Sequence, residues 1–382
     1  MYFPNMKRVL LRARQFVLNK IFDIRVIIDK NVNFKIIIPV HIMLIALTIN
    51  QCFILTLSMV VLLAFLCIPI IFKIIILIRN TYFSKSNTYF LSLIVRIRNE
   101  PYMEEFVSWY FYQGIEHIWI LDDNLDSLNL EYGTLSEKLK SDPRITIIPC
   151  DQSLKEKHPK RGLSSDFQDI EYQKLYKQVR NQSKWWIIVD ADEFIIPKRD
   201  LNTSIKKSLE TTFRDADSIS VPWVMMAYSQ DEYPESLLLT NIYRMDHDKR
   251  HPNQIKNRKN RCFYKKIPIK TIFKSASFST VGTHRPRPTL KIILYQVKEG
   301  VSNTLSCSNE HHNLRNKDIE NGYLLCYHYR FYNKKHIIDK YGFGNDMYHE
   351  SYDEKKNINY PEIKDSSIAD VYKKNIIQKH VD

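Results

Sequence analysis

The chain has 382 residues, 44% hydrophobic and 26% charged, which suits one sizeable globular domain with accessory segments and excludes wholesale disorder. Only 8 glycines are present, and none forms a Gly-rich phosphate loop or a dinucleotide fingerprint. The formal charge of +14 favours an anionic partner, but a lysine-rich composition with abundant Ile, Asn and Tyr accounts for it equally well, so charge alone decides nothing.

Residues 1–35 form a basic N-terminal segment, and between Lys35 and Lys73 there is no Asp, Glu, Lys or Arg. A membrane-spanning helix needs about 20 apolar residues. Within the hydrophobic stretch 36–78 the best window is Phe53 to Phe72, while Ile36 to Ile49 is shorter, contains Pro39 and is marginal as a second span. The stretch lies too far into the chain, and is too long, for an ordinary cleaved signal peptide. A single-pass signal-anchor is the reading. The excess of Lys and Arg before the span (Lys7, Arg8, Arg12 and Arg14 among them) puts the N-terminus in the cytosol and the following domain in the ER/Golgi lumen. Acceptor patterns for N-glycosylation at Asn181-Gln182-Ser183 and Asn202-Thr203-Ser204 fit that side. A two-span hairpin would reverse it, and glycan occupancy at either Asn would exclude the hairpin.

A globular domain is expected over residues 87–345, followed by a polar C-terminal tail, 346–382. Tyr89 to Ile97 is rich in β-branched and aromatic residues and predicts a strand running into Arg98-Asn99-Glu100-Pro101. Met103 to Gln113 predicts a helix, with Phe106 and Tyr110 on its apolar face and Gly114 at its end. His117 to Leu121 predicts a second strand, ending in Asp122-Asp123-Asn124, and Ile145 to Pro149 a third. Phe167 to Asn181 predicts a helix leading into another strand. Strands alternating with helices imply a largely parallel sheet. No two cysteines have Cys-x-x-Cys spacing, which argues against a zinc site.

The most informative segment is Trp185-Trp186-Ile187-Ile188-Val189-Asp190-Ala191-Asp192-Glu193-Phe194-Ile195-Ile196. A bulky apolar run reads as a strand buried on both faces, ending in two carboxylates spaced i, i+2. In extended backbone those two point to the same side and can offer hard oxygen ligands to one divalent cation, at the sheet edge where open α/β folds bind ligands. The plainer alternative is a pair of carboxylates capping the next helix or standing solvated in a loop. Glu193 alternates away from the pair and is read as orienting its neighbours.

Further segments occur in a recognisable order: Arg98-Asn99-Glu100, Trp109, Gly114-Ile115-Glu116-His117, Asp122-Asp123-Asn124, Trp186 to Phe194, Lys270-Thr271-Ile272-Phe273-Lys274, Gly282-Thr283-His284 and His328-Tyr329-Arg330. Together they make the chain resemble the GT-A glycosyltransferases, and within them glycosyltransferase family 92 and its family-2-like neighbours, over about Asn87 to Tyr341. The resemblance implies an α/β GT-A fold, Rossmann-like, with a mostly parallel central sheet and flanking helices, here preceded by an N-terminal transmembrane helix. It implies transfer of a hexose from a nucleotide sugar to a glycan acceptor on protein or lipid, with inversion, and suggests galactose from a uridine donor. Asp190 and Asp192 would hold a divalent metal, manganese or alternatively magnesium. Arg98, Asn99, Glu100, Asp122 and Asp123 would line the nucleotide pocket.

His284 and His328 lie where related folds bring a histidine back to the metal, though a lone histidine is more often structural. Arg330 could contact phosphate through its planar fork, or make a surface ion pair. Inversion needs a general base, for which Asp231 and Glu232 are the candidates; a solvated acidic turn before Pro234 is the alternative. Asp122-Asp123-Asn124-Leu125-Asp126 lacks the serine common in relatives, and Tyr228-Ser229-Gln230-Asp231-Glu232 replaces a glycine- and serine-rich loop. Between Arg244 and Cys262 lies what reads as a basic insertion. The wider basic stretch His247 to Lys270 lacks the aromatic interleaving of a single-strand binder, so no nucleic-acid partner is expected. The rival readings are a nucleotidyl- or phosphotransferase using similar metal carboxylates, and a membrane-tethered basic binding protein without catalysis.

Overall fold

The structure is a computed structural model. It describes Cys67 and residues 87–124, 135–153, 165–249, 267–288, 296–305, 311–312, 314–336 and 361–378. The hydrophobic stretch 36–78 lies outside them but for Cys67, as does the basic run 250–266. Among the described residues no helix is long and apolar enough to cross a membrane. The chain divides into two units, residues 1–77 and 78–382, and the second is described here.

Four strands form the parallel half of the central sheet: β1 (Tyr89–Ile97), β2 (His117–Asp122), β3 (Ile145–Pro149) and β4 (Ser183–Asp190). They lie side by side in the order β3-β2-β1-β4, every pair parallel. Beyond β4 the sheet continues through the antiparallel β8 (Ile267–Lys274) to β6 (Ser218–Ala227). β6 therefore runs in the same sense as β4, and the C-terminal ends of β1, β2, β4 and β6 share one edge. β13 (Leu325–His328) pairs parallel with β6, which brings His328 to the same edge.

Alternation along the parallel strands sorts the apolar side chains into two cores. Leu91, Leu93, Val95, Ile118, Ile120, Ile187 and Val189 face one side, where helix α1 (Met103–Tyr112) packs with Phe106, Trp109 and Tyr110. Ile94, Trp119, Leu121, Trp186 and Ile188 face the other, covered by helix α2 (Ser165–Val179) through Phe167, Tyr172, Leu175, Tyr176 and Val179. A helix on each face is the doubly covered arrangement that the near-continuous apolar strands demand. α1 ends at Gly114, whose φ of 87° lies in the left-handed region open to glycine. The expected β1, α1, β2, β3 and α2 are present, with bounds that coincide or differ by at most two residues.

Two elements depart from the expectation. β4 ends at the acidic pair, as read, but its extended backbone does not continue through Asp192: Ala191 and Asp192 form a turn, and β5 (Glu193–Ile196) pairs antiparallel with β13. The i, i+2 rule for extended backbone thus does not govern Asp190 and Asp192. The segment read as a polar tail also belongs to the fold. β14 (Ile363–Lys364) pairs with β7 (Tyr243–Arg244), and helix α3 (Ser367–Tyr372) buries Ile368, Val371 and Tyr372 in the first core, with Ile376 beyond it. The folded unit therefore extends past residue 345.

Candidate functional site

The acidic turn between β4 and β5 is held from three sides. From α1, the Trp109 indole Nε1 donates to the carbonyl of Ile195 at 3.1 Å, and the Tyr110 hydroxyl donates to that of Glu193 at 2.8 Å. From β13's end, the Tyr329 amide donates to the carbonyl of Asp192 at 2.8 Å. From within the turn, the Asp190 amide donates to Glu193 Oε2 at 2.8 Å.

The carboxylates then diverge. Asp190 Oδ1 accepts from Gln168 Nε2 at 2.6 Å, with the Tyr172 hydroxyl at 3.5 Å, and Asp190 Oδ2 accepts from Lys270 Nζ at 2.9 Å. Lys270 also lies 3.0 Å from Glu193 Oε2 and donates to the carbonyl of Thr283 at 3.2 Å. The Lys270 and Glu193 side chains are wholly buried, whereas that of Asp190 keeps 32% of its surface. Asp192 instead turns to His328, whose Nε2 is 3.5 Å from Asp192 Oδ1.

Burial pushes the Asp190 carboxyl up, but the Lys270 ammonium outweighs it and holds the group below its ordinary value. For Glu193 burial dominates over Lys270, and the carboxyl is driven well up, helped by Asp190 and Asp192. Burial depresses Lys270, yet the two facing carboxylates more than compensate and its affinity for the proton rises. His284, depressed by burial and by Lys270, falls to about 4. It is neutral at neutral pH, with Nδ1 3.1 Å from the carbonyl of Ile269. Because a carbonyl only accepts, Nδ1 carries the proton and Nε2 keeps its lone pair.

Ligand atoms of Asp192, Glu193 and His328 lie within 4.8 Å of one another. Glu193 Oε1 and His328 Nδ1 are buried without a hydrogen-bond partner. Two carboxylates and an imidazole make a donor set suited to manganese or magnesium, and the orphaned Glu193 oxygen is a further reason to seat a cation there. The structure thus brings Asp192 and His328 together, sets Glu193 beside them and attaches Asp190 to Lys270. Trp223 on β6 is a shared neighbour of both histidines, with ring centroids 4.2 Å from His328 and 5.5 Å from His284.

The expected nucleotide-binding residues cluster at the ends of β1 and β2. The Asn99 amide donates to Asn124 Oδ1 at 2.8 Å, with Asn99 itself at a φ of 53°. Asp122 Oδ1 accepts from the Asn124 amide at 3.0 Å and from its Nδ2 at 2.7 Å. Glu100 Oε2 accepts from the Tyr332 hydroxyl at 2.6 Å, tying this loop to the segment after β13. Asp123 differs from Asp122: its side chain is fully buried, ion-paired to Arg96, and its Oδ1 accepts from Gln152 Nε2 at 2.9 Å. The Arg330 guanidinium sits 5.0 Å from the ring centroid of Phe331. Asp231 and Glu232 follow the end of β6, at the same edge, and both are exposed.

The sequence reading missed Arg96, Gln168 and Tyr172, and used Lys270 only as part of an ordered pattern. For Arg96 and Lys270 a signal existed: a cation inside a run of β-branched residues needs a buried anion beside it.

A mixed α/β sheet with an acidic turn, two histidines and a polar cluster at one edge fits an α/β glycosyltransferase fold. Residues 101–376 match the model of glycosyltransferase family 92, and the chain belongs to that family. No curated protein matches the chain.

Proposed function

We propose that this glycosyltransferase is a membrane-anchored, metal-dependent enzyme that moves a hexose from a nucleotide sugar to a glycan acceptor with inversion. The donor we propose is uridine-linked galactose, and the catalytic domain faces the ER/Golgi lumen. The observation that carries the metal-dependent reading is the convergence of Asp192, Glu193 and His328 at the edge where the parallel strands end.

These three residues would hold the cation, manganese or magnesium. When bound, it supplies positive charge to a diphosphate whose negative charge grows as the glycosidic bond breaks. The chain's own residues do the rest. Asp122 and the Arg98-Asn99-Glu100 loop orient the nucleoside end, close to the turn because β1 lies between β2 and β4. His284, neutral and with Nε2 unprotonated, accepts hydrogen bonds without adding charge. Asp231 or Glu232 takes the proton from the acceptor hydroxyl as its oxygen bonds to the anomeric carbon, while the nucleoside diphosphate leaves from the opposite face.

The test is nucleoside diphosphate release by the full-length chain in detergent, over a panel of nucleotide sugars with manganese. Release from a single donor, lost in Asp192→Ala and His328→Ala, is the expected result. A folded protein that neither binds nor hydrolyses any donor in the panel would overturn the reading.

A further inference from the structure

The chain that leaves β13 passes three parts of the site between Tyr329 and His336. The Tyr329 amide donates to the carbonyl of Asp192, in the acidic turn, at 2.8 Å. The Tyr332 hydroxyl donates to Glu100 Oε2, in the nucleotide loop after β1, at 2.6 Å. The amides of Lys334 and Lys335 donate to the carbonyls of Gln230 and Asp231, in the loop that carries the candidate base, at 3.4 and 3.1 Å. Glu100 and Tyr332 are 232 positions apart, so only the fold brings them together.

Tyr332 is the fixed point of that segment, and it is buried. Its carbonyl accepts from Asn241 Nδ2 at 2.8 Å, and its amide donates to His336 Nδ1 at 3.1 Å. An amide only donates, so Nδ1 carries a lone pair and the imidazole is neutral. That ring stacks on the ring of Tyr332, with centroids 4.2 Å and planes 12° apart. Tyr102, just past Glu100, meets the Tyr332 ring edge-on at 5.1 Å and donates its own hydroxyl to the carbonyl of Pro234 at 2.8 Å. Burial, helped by the Glu100 and Asp192 charges, drives the Tyr332 hydroxyl well above its ordinary value, so it stays protonated and remains a donor. A hydroxyl donating to a carboxylate makes one of the stronger hydrogen bonds, and its removal leaves that oxygen one donor short.

We propose that Tyr332 is a positioning residue that holds the nucleotide loop, through Glu100, in register with the loop carrying Asp231 and Glu232, so that nucleotide bound at the first loop steadies the backbone of the second. This rests on the nucleotide-sugar reading above and adds a physical route between its two halves. The links to Gln230 and Asp231 come from backbone amides, which no side-chain substitution removes. The Tyr332 hydroxyl is the side-chain atom whose loss tests the route. The Tyr102 hydroxyl is a parallel tie, so the route is weakened rather than severed when Tyr332 loses its own.

The experiment follows amide hydrogen exchange in the full-length protein in detergent, with and without saturating uridine diphosphate and manganese, with thermal unfolding as the check on folding. In the wild type, nucleotide should slow exchange at Lys334 and Lys335 by about fivefold or more, the lower end of coupling between two sites. Tyr332→Phe keeps the ring. It should weaken uridine diphosphate binding by about two- to tenfold, the fold-change of one hydrogen bond, and cut the slowing at saturating nucleotide to less than about twofold. Glu100→Gln, which keeps an acceptor oxygen, should retain the slowing, and Glu100→Ala should lose it. Adding Tyr332→Phe to Glu100→Ala should then change neither readout further, because both substitutions remove one contact. Slowing in Tyr332→Phe equal to the wild type, or none in nucleotide-bound wild type, would overturn the proposal and leave the glycosyltransferase reading standing. A folded wild type that binds no uridine diphosphate would remove the uridine-donor reading and the proposal together.

Discussion

Of the two adjacent carboxylates after β2, Asp123 is the structural one, and its removal should be felt in stability. Its side chain is fully buried and ion-paired to Arg96, itself only 12% exposed, whose guanidinium also lies 5.3 Å from the Phe167 ring centroid. Asp123→Ala would leave the Arg96 charge buried without its carboxylate. Breaking a buried pair from one side costs about 3–5 kcal/mol, far more than the pair contributes relative to an apolar substitute. With about 2 °C of unfolding midpoint per kcal/mol, the coefficient suited to a large unit, the midpoint should fall by roughly 6–10 °C. Intrinsic tryptophan fluorescence reports it, since Trp109, Trp185 and Trp186 are buried in the two cores. Combining Asp123→Leu with Arg96→Met should restore most of the loss, because the two changes share one interaction. Asp122→Asn, by contrast, should leave the midpoint within about 2 °C and raise the KM for donor. An Asp123→Ala protein unfolding with the wild type, or a double variant no better than the single, would refute the assignment of Asp123 to the fold.

Gly114→Ala should destabilise by about 1–3 kcal/mol in denaturant titration, since a Cβ there would meet Lys206 Cβ at 2.6 Å at a φ of 87°. Asp365, held below its ordinary value by Lys198, Ser367 and Tyr327 against the upward push of burial, should contribute stability that is full above its unfolded value of about 3.9 and is lost as pH falls through the lower folded value. The unfolding gap between wild type and Asp365→Asn should therefore be constant from pH 7 to about 5 and close below about 4; a gap that widens on acidification would contradict this. If Asp231 or Glu232 is the general base, one of Asp231→Asn and Glu232→Gln should lower turnover at saturating acceptor by about 10²–10⁴-fold, and normal turnover in both would sink the assignment.

What could be read from the sequence, and what could not, follows from how locally each feature is determined. β1, α1, β2 and β3 were legible because each is a dense apolar segment bounded by turn chemistry, such as Pro101 before α1 and Gly114 after it. The turn at the acidic pair was not, because the spacing was read as extended backbone through Asp192, while the turn is fixed by partners far along the chain: Trp109, Tyr110 and β13. The C-terminal helix was misjudged for the opposite reason. Its net polarity concealed Ile368, Val371, Tyr372 and Ile376, whose spacing of three, one and four is that of a helix face.

The same distinction governs the site. Residue types announced the chemistry: carboxylates at a strand end, histidines downstream, a cation inside a strand. The allocation of roles among them depends on contacts between residues 80 or more positions apart, Lys270 to Asp190 and Asp192 to His328. A pattern of spacing can nominate Asp190 and Asp192 as a pair; only the fold gives one of them to an ammonium and the other to an imidazole. The buried Lys270, whose desolvation is tolerable only beside carboxylates, therefore ties the two ends of the turn together, alongside the hydrogen bonds from Trp109, Tyr110 and Tyr329.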